Sequence, residues 1–396
     1  MESGSRRPLL SAPRGFRDIL PTEARELRVI EQALTETFAA SGYMPLEPPM
    51  IEYSAAQPTQ ERLIQFLDTD RSLVALRPDL TTAVARLVAQ RYRETAGALR
   101  LSYFAPVFRE EPAMTAGERE VVQAGVELIG ASGPIADAEV LALLVESLER
   151  CGLRLDGATI QVGHVGIVRR LFAPLAEEPR SAVLSALRAG DLVGALRRAH
   201  EAGMPSEDVT RARAALGVIG RGIEQLDGDD VRELRQVVHL ARERWPSSVK
   251  LWGSPNIGLV PALPYYTAIV FEALHPDVGV IASGGRYDLL IGAYGAPRPA
   301  TGFAIDVLRL HRALFAEGWR PADARPLVTL HSGGDERATM RCAASLRAAG
   351  LSVAIGDVAE TAGIALIVAE VVDERRVKLG DGRTIDAATL ARELAT

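Results

Sequence analysis

Gln123-Ala124-Gly125-Val126-Glu127 sets a carboxamide and a carboxylate on one face of an extended segment, with Gly125 midway between them, because strand side chains alternate. A small ligand could lie over the glycine, although a solvent-facing polar strand would read the same way. Arg77-Pro78-Asp79-Leu80-Thr81 forms a proline-stiffened turn into a helix. Asp79 there could cap exposed backbone N–H groups, or Asp79 and Thr81 could accept hydrogen bonds from an ammonium group. Arg109 closes an apolar run and could bind an anion bidentately, with Glu111 or water as its ordinary alternative. Tyr265 and Tyr266 open a strand, so their rings are expected on opposite faces, in a pocket or in the core. In Ala282-Ser283-Gly284-Gly285-Arg286-Tyr287-Asp288 the glycines permit close backbone approach to a ligand or a bulge. Without a helix-opening Gly-x-Gly-x-x-Gly, this segment is no nucleotide fingerprint.

The elements that would position these residues are mixed α/β. Leu27, Ile30, Leu34 and Phe38 recur at helical spacing, and prolines 45, 48 and 49 then enforce an extended chain. Short apolar runs at 73–76, 101–108 and 121–129 read as strands, with a helix over 79–93. A further amphipathic helix runs from Asp137 to Gly152. Residues 165–248 turn to Ala, Leu, Arg and Glu at helical period, broken at Gly190-Asp191, Gly203-Met204-Pro205 and Asp227-Gly228-Asp229-Asp230, which reads as a helical insertion. Tyr266–Leu274 and Val278–Ser283 then read as an antiparallel hairpin across His275-Pro276-Asp277. Past a break at 318–323, residues 326–396 read as a small α/β module, with strands at 327–330, 352–355 and 364–368 and a helix at 336–349. The expected domains are therefore 1–325 and 326–396.

Composition narrows the chemistry. The 396 residues carry a net charge of −6, so no chain-wide positive field attracts a polyanion. Of 45 basic residues only Lys250 and Lys378 are lysines, which leaves little scope for a Schiff base. Cys151 and Cys342 are far apart in sequence, and the six histidines have no short ligand spacing, so neither a disulfide framework nor a metal site is expected. No cofactor is expected. No apolar run reaches the roughly 18–20 residues that span a bilayer, and the N-terminus has no apolar leader, so a cytoplasmic protein is expected.

In order and spacing, these segments resemble the catalytic core of histidyl-tRNA synthetase, a class II aminoacyl-tRNA synthetase, from Gly15 to about His311. Gly15–Glu52, Phe108–Gly130 and Thr301–Leu310 resemble the three class motifs, and Leu259–Glu272 and Ser283–Leu290 the two histidine-specific motifs. The resemblance implies an antiparallel sheet flanked by helices. It further implies that Asp79 (where glutamate is usual) and Thr81 meet the amino group of a bound histidine. Gln123, Glu127, Tyr265, Tyr266 and Tyr287 would surround the rest, with Arg109 retained beside them.

The chain departs from that pattern where the synthetases do chemistry. Pro261-Ala262-Leu263-Pro264 stands where they read Arg-Gly-Leu-Asp, Val121 where an aromatic residue stacks on adenine, and Leu308 where glutamate is usual. Loss of one such electrostatic contact typically costs about 10²–10³ in rate. The C-terminal module is short and holds ten acidic and eight basic residues, a poor tRNA reader. These features resemble the family of regulatory subunits of ATP phosphoribosyltransferase. Membership implies a non-catalytic chain that dimerises within a hetero-octamer of four regulatory and four short-form catalytic subunits. It would activate the catalytic subunit and impose feedback inhibition by histidine. An active histidyl-tRNA synthetase, a paralogue serving another ligand or partner, or a purely structural activator are the alternatives.

Overall fold

A computed structural model describes residues 11–57, 62–110, 117–156, 158–217, 228–245, 265–321, 326–358 and 365–394. The elements run α1 (Pro21–Ala40), β1 (Met44–Pro45), β2 (Ile51–Tyr53), β3 (Gln65–Leu67), β4 (Leu73–Leu76), α2 (Leu80–Arg91), β5 (Leu99–Phe108), β6 (Glu120–Ile129), α3 (Pro134–Arg150) and β7 (Thr159–His164). Next come α4 (Val165–Leu171), α5 (Glu177–Arg188), α6 (Leu192–Glu201), α7 (Ser206–Gly217), α8 (Asp229–Arg242), β8 (Ile269–His275), β9 (Gly279–Arg286), β10 (Ala300–Asp306) and α9 (Val307–Ala316). The last are β11 (Leu327–His331), α10 (Glu336–Ala348), β12 (Ser352–Ile355), β13 (Leu366–Val371), β14 (Arg376–Leu379), β15 (Thr384–Asp386) and α11 (Ala387–Glu393). None of the described helices is long and apolar enough to cross a membrane.

Two compact units result, one built on Leu27–Trp319, the other on the residues from Arg320 onward together with Ile19–Glu26. The boundary expected at 325 lies outside the described residues. The first unit is organised by a seven-stranded sheet, order β1-β5-β6-β10-β9-β8-β7. Only the β1–β5 pair is parallel.

Alternation along the strands divides this sheet chemically. Val126 and Leu128 of β6 join Phe303 and Ile305 of β10, Leu141 and Leu148 of α3 and Leu34 of α1 in one apolar cluster. Leu101, Tyr103 and Val107 of β5 face a second cluster with Leu80, Val84 and Val88 of α2. Burying each such aliphatic side chain contributes about 1.5–3 kcal/mol. Gln123, Gly125 and Glu127 alternate with Ala124 and Val126, so the β6 polar stripe is turned toward α2.

Among the described residues, helices α4 to α8 lie between the antiparallel neighbours β7 and β8. The breaks at 190–191 and 203–205 separate consecutive helices, and Asp191 caps α6 through the Gly194 N–H at 2.7 Å. His164, at the end of β7, accepts from the Gly166 N–H at 3.0 Å and faces Glu233 of α8 at 3.5 Å. An Arg170–Asp230 pair at 2.5 Å links α4 to α8 within the insertion.

The hairpin begins later than its sequence suggests: β8 starts at Ile269, and Tyr266 lies outside it. Before that point Thr267 holds the chain to the end of β9 without a ladder, its N donating to the Arg286 carbonyl at 2.7 Å and its Oγ1 accepting from Asp288 N at 3.2 Å. In the second unit β12, β11 and β13 are parallel, and the sheet continues through β14 and β15, which the sequence did not announce. Strands of three or four residues are too short for a two-residue period to stand out.

Gly125 shows how tight the sheet surface is. A Cβ there would overlap the Phe303 carbonyl and sit 2.7 Å from the Tyr103 hydroxyl oxygen. Gly125→Ala should therefore lower unfolding free energy by about 1–3 kcal/mol, as overpacking does, measured by urea denaturation; an unchanged midpoint would show that the strands part freely.

Candidate functional site

Glu127 lies at the centre of the α2 side of the sheet, 1% exposed. Tyr103, one strand away, donates to its Oε1 at 3.3 Å, and Tyr287 donates to its Oε2. The Thr81 hydroxyl is also within hydrogen-bonding reach. Gly302 is the cross-strand partner of Glu127, and a Cβ at 302 would overlap the carboxylate. The carboxylate lies across the sheet because that neighbour has no side chain.

Burial pushes the Glu127 carboxyl up to about 7, the three hydroxyl contacts pulling it down and nearby Asp79 pushing it up. Asp79 is also buried and raised by burial, opposed by Thr82 and by the charge of Arg109. It caps α2, accepting from Thr82 N at 2.7 Å and from Thr82 Oγ1 at 3.1 Å. Capping and proximity to the carboxylate pocket thus coexist. Arg109 donates from Nε to the Pro78 carbonyl at 2.9 Å, which ties the end of β5 to the turn that presents Asp79.

The tyrosine pair departs from expectation. Tyr265 and Tyr266 do not alternate across a strand: their ring centroids are 5.1 Å apart, and Tyr265 meets Tyr287 edge-on at 5.9 Å. The segment lies outside β8, so no pleat separates the rings. Burial holds the hydroxyls of Tyr103, Tyr265, Tyr266 and Tyr287 well above their ordinary range, so all four stay protonated.

Tyr287 owes its place to its neighbours in sequence. Arg286 and Asp137, 4% and 0% exposed, pair at 3.0 Å, and Arg286 also reaches Asp288 at 3.0 Å. Asp288 accepts from Ala300 N at 2.9 Å, and Tyr287 N donates to the Ala300 carbonyl at 2.8 Å. The end of β9 is thereby locked to the start of β10.

Gln123 occupies the same β6 face, opposite Asp306 of β10. Its Oε1 is buried with no hydrogen-bond partner among the described residues. A buried unmet acceptor costs about 1–3 kcal/mol unless a donor reaches it. Sequence reasoning missed Tyr103, whose hydroxyl lies against Gly125, where the sequence left open a ligand or a solvent-facing strand. Tyr103 is the register partner of Gly125, and only strand pairing reveals that. Among the described residues no cluster of His, Cys, Asp and Glu is arranged to hold a metal.

The histidyl-tRNA synthetase family profile matches residues 15–310. The chain is 38% identical over 360 residues to the ATP phosphoribosyltransferase regulatory subunit of Symbiobacterium thermophilum, covering 87% of this chain and 90% of that one. Its counterpart in Moorella thermoacetica is 35% identical over 363 residues, with 87% and 92% covered. The chain belongs to the histidyl-tRNA synthetase-like family of ATP phosphoribosyltransferase regulatory subunits. Its fold matches a Bacillus halodurans structure described as an ATP phosphoribosyltransferase regulatory subunit/histidyl-tRNA synthetase, with TM-score 0.78, 27% identity, and 92% and 100% of the two chains covered.

Within this family frame, the departures can be placed. Pro261 to Pro264 lie outside the described residues. Val121 is half-buried against the α2-side cluster, and Leu308 is buried in α9. Arg309 is engaged within the chain, 3.4 Å from Asp306 and donating to the Val280 carbonyl at 3.1 Å. Asp306 also caps α9 through Arg309 N at 2.9 Å. A helix N-terminus, ordinarily an anion site, is here met by a carboxylate of the protein itself.

The raised Glu127 has a consequence for stability. The folded chain binds this proton more tightly than the unfolded chain, whose glutamate titrates near 4.3. The contribution is full below that range and is lost as pH rises through about 7. Glu127→Gln cannot titrate, so its unfolding free energy relative to wild type should rise by on the order of 3 kcal/mol between pH 4 and pH 8. Urea denaturation across that range checks this, and a constant difference would contradict it.

Proposed function

We propose that the chain is the non-catalytic regulatory partner of a short-form ATP phosphoribosyltransferase catalytic subunit in cytoplasmic histidine biosynthesis, and that histidine is its effector. The observation that carries the reading is Glu127, a buried carboxylate held by Tyr103 and Tyr287, in a chain whose relatives bear the regulatory-subunit name. Histidine would place an imidazole N–H on Glu127 among the rings of Tyr265, Tyr266 and Tyr287. Its ammonium group would meet Asp79, Thr81 and the unmet Gln123 Oε1, with Arg109 at the carboxylate end. Pro261 supplies no donor for activating that carboxylate, and the acidic balance of the C-terminal module does not favour tRNA.

Regulation then requires that histidine bind the low-activity state of the assembly more tightly, with reciprocal coupling of about 1–3 kcal/mol. The proposed assembly is a hetero-octamer of four regulatory chains, paired as dimers, and four catalytic chains.

The test adds the purified chain to a short-form catalytic subunit and measures phosphoribosyl transfer with and without histidine. Activation by the chain and inhibition by histidine are expected. In calorimetry, Glu127→Ala should weaken histidine binding to the complex at least about tenfold, the loss of a charge-assisted hydrogen bond. Binding indifferent to that substitution would remove Glu127 from the site. The retention of Arg109 beside Asp79 favours one second reading, histidine activation, and histidine-dependent ATP–pyrophosphate exchange would support it.

A further inference from the structure

Tyr103 is not among the residues that the family resemblance carries over, yet it makes closer contact with Glu127 than most that are. Its ring crosses Gly125, its register partner, and its hydroxyl lies 3.3 Å from Glu127 Oε1 and 3.4 Å from the Phe303 carbonyl oxygen. Any side chain at position 125 would collide with that hydroxyl. The glycine in Gln-Ala-Gly-Val-Glu therefore serves a protein phenol.

We propose that Tyr103 is a positioning residue that fixes Glu127 as a hydrogen-bond acceptor, restricting the pocket to ligands that present an N–H donor at that point. The inference rests on the histidine-pocket reading above. An ionised carboxylate has about four acceptor sites and no donor. Tyr103 takes one on Oε1, Tyr287 one on Oε2 and the Thr81 hydroxyl reaches a third, and burial keeps both phenols protonated. The remaining sites can accept and cannot donate. If Glu127 takes up a proton, Tyr103 can turn its own O–H to the Phe303 carbonyl, 3.4 Å away, which leaves the Glu127 O–H free to point into the pocket. In that state the pocket could offer a ligand a donor, and the selection would relax.

The groups facing Glu127 are Asp79 and Thr81 at the start of α2, Tyr103 of β5, Tyr265 and Tyr266 ahead of β8, and Tyr287 at the end of β9. Gly302 of β10 adds no side chain, Tyr43 lies within electrostatic range, and Arg109 acts on the set through Asp79. Tyr103 has a second acceptor within reach, the Phe303 carbonyl.

The test is calorimetric titration of the full chain with histidine and with 2-thiazolylalanine, whose ring has no N–H, from pH 6 to pH 8.5. Wild type and Tyr103→Phe are compared directly. The imidazole of free histidine titrates in the same window, but identically for both proteins, so the difference between profiles reports Glu127. Losing one hydrogen bond to the ionised form should move the variant's profile upward by about one pH unit. Histidine binding would then be about fivefold weaker at pH 7 and less than about twofold weaker at pH 8.5. At pH 7 the preference for histidine over 2-thiazolylalanine should narrow. In a Glu127→Gln background, Tyr103→Phe should produce no pH-dependent displacement. Superimposable profiles with unchanged preference overturn the role of Tyr103. Absence of histidine binding by the unaltered chain at every pH overturns the pocket reading beneath it.

Discussion

A carboxylate taken out of water must find hydrogen-bond donors or a proton, and Glu127 is arranged for both. Its oxygens are met by phenols from β5 and from the end of β9, and the carboxylate lies over Gly302 of β10. Three strands are thereby bound to one side chain. The buried Arg286–Asp137 pair, with Asp288 on the backbone of Ala300, belongs to the same construction, because it fixes the strand end from which Tyr287 projects. A buried ion pair is weak evidence for stability, since desolvation offsets its attraction. Its value here is positional.

The neighbouring surface is built on the opposite electrostatic plan. Arg309 is matched by Asp306, and the start of α9 is capped by the same carboxylate. Where a free arginine and an open helix end would attract an anion, the chain supplies its own. A pocket with an acceptor at its base, beside an anion site already satisfied internally, supports the proposed role of binding an amino acid without acting on it.

The helical insertion and the C-terminal unit rest on simpler physics. Helices α4 to α8 are tied to the sheet edge by His164 with Glu233 and to one another by Arg170 with Asp230, and their apolar stripes join the cluster that holds α1 and α3. In the C-terminal unit, Val328, Leu330, Leu346, Val371, Val377 and Leu390 close a separate core. Each part buries its own apolar face.

Much of this was legible in the sequence. The periods of β5, β6, α2 and α3, the helical insertion and the place of Asp79 at a helix start are local properties, set by side-chain alternation, helical spacing and capping chemistry within a few residues. The family was also legible, since ordered motifs survive in one dimension. Other features depended on contacts between distant segments. Tyr265 and Tyr266 came together because the strand begins at Ile269, Arg309 was occupied by Asp306, and Gly125 faced Tyr103 rather than open space. The sequence by itself determined which side chains share a strand face. Only the tertiary structure decided what each face meets, because strand register joins residues far apart in the chain and no local period encodes that pairing.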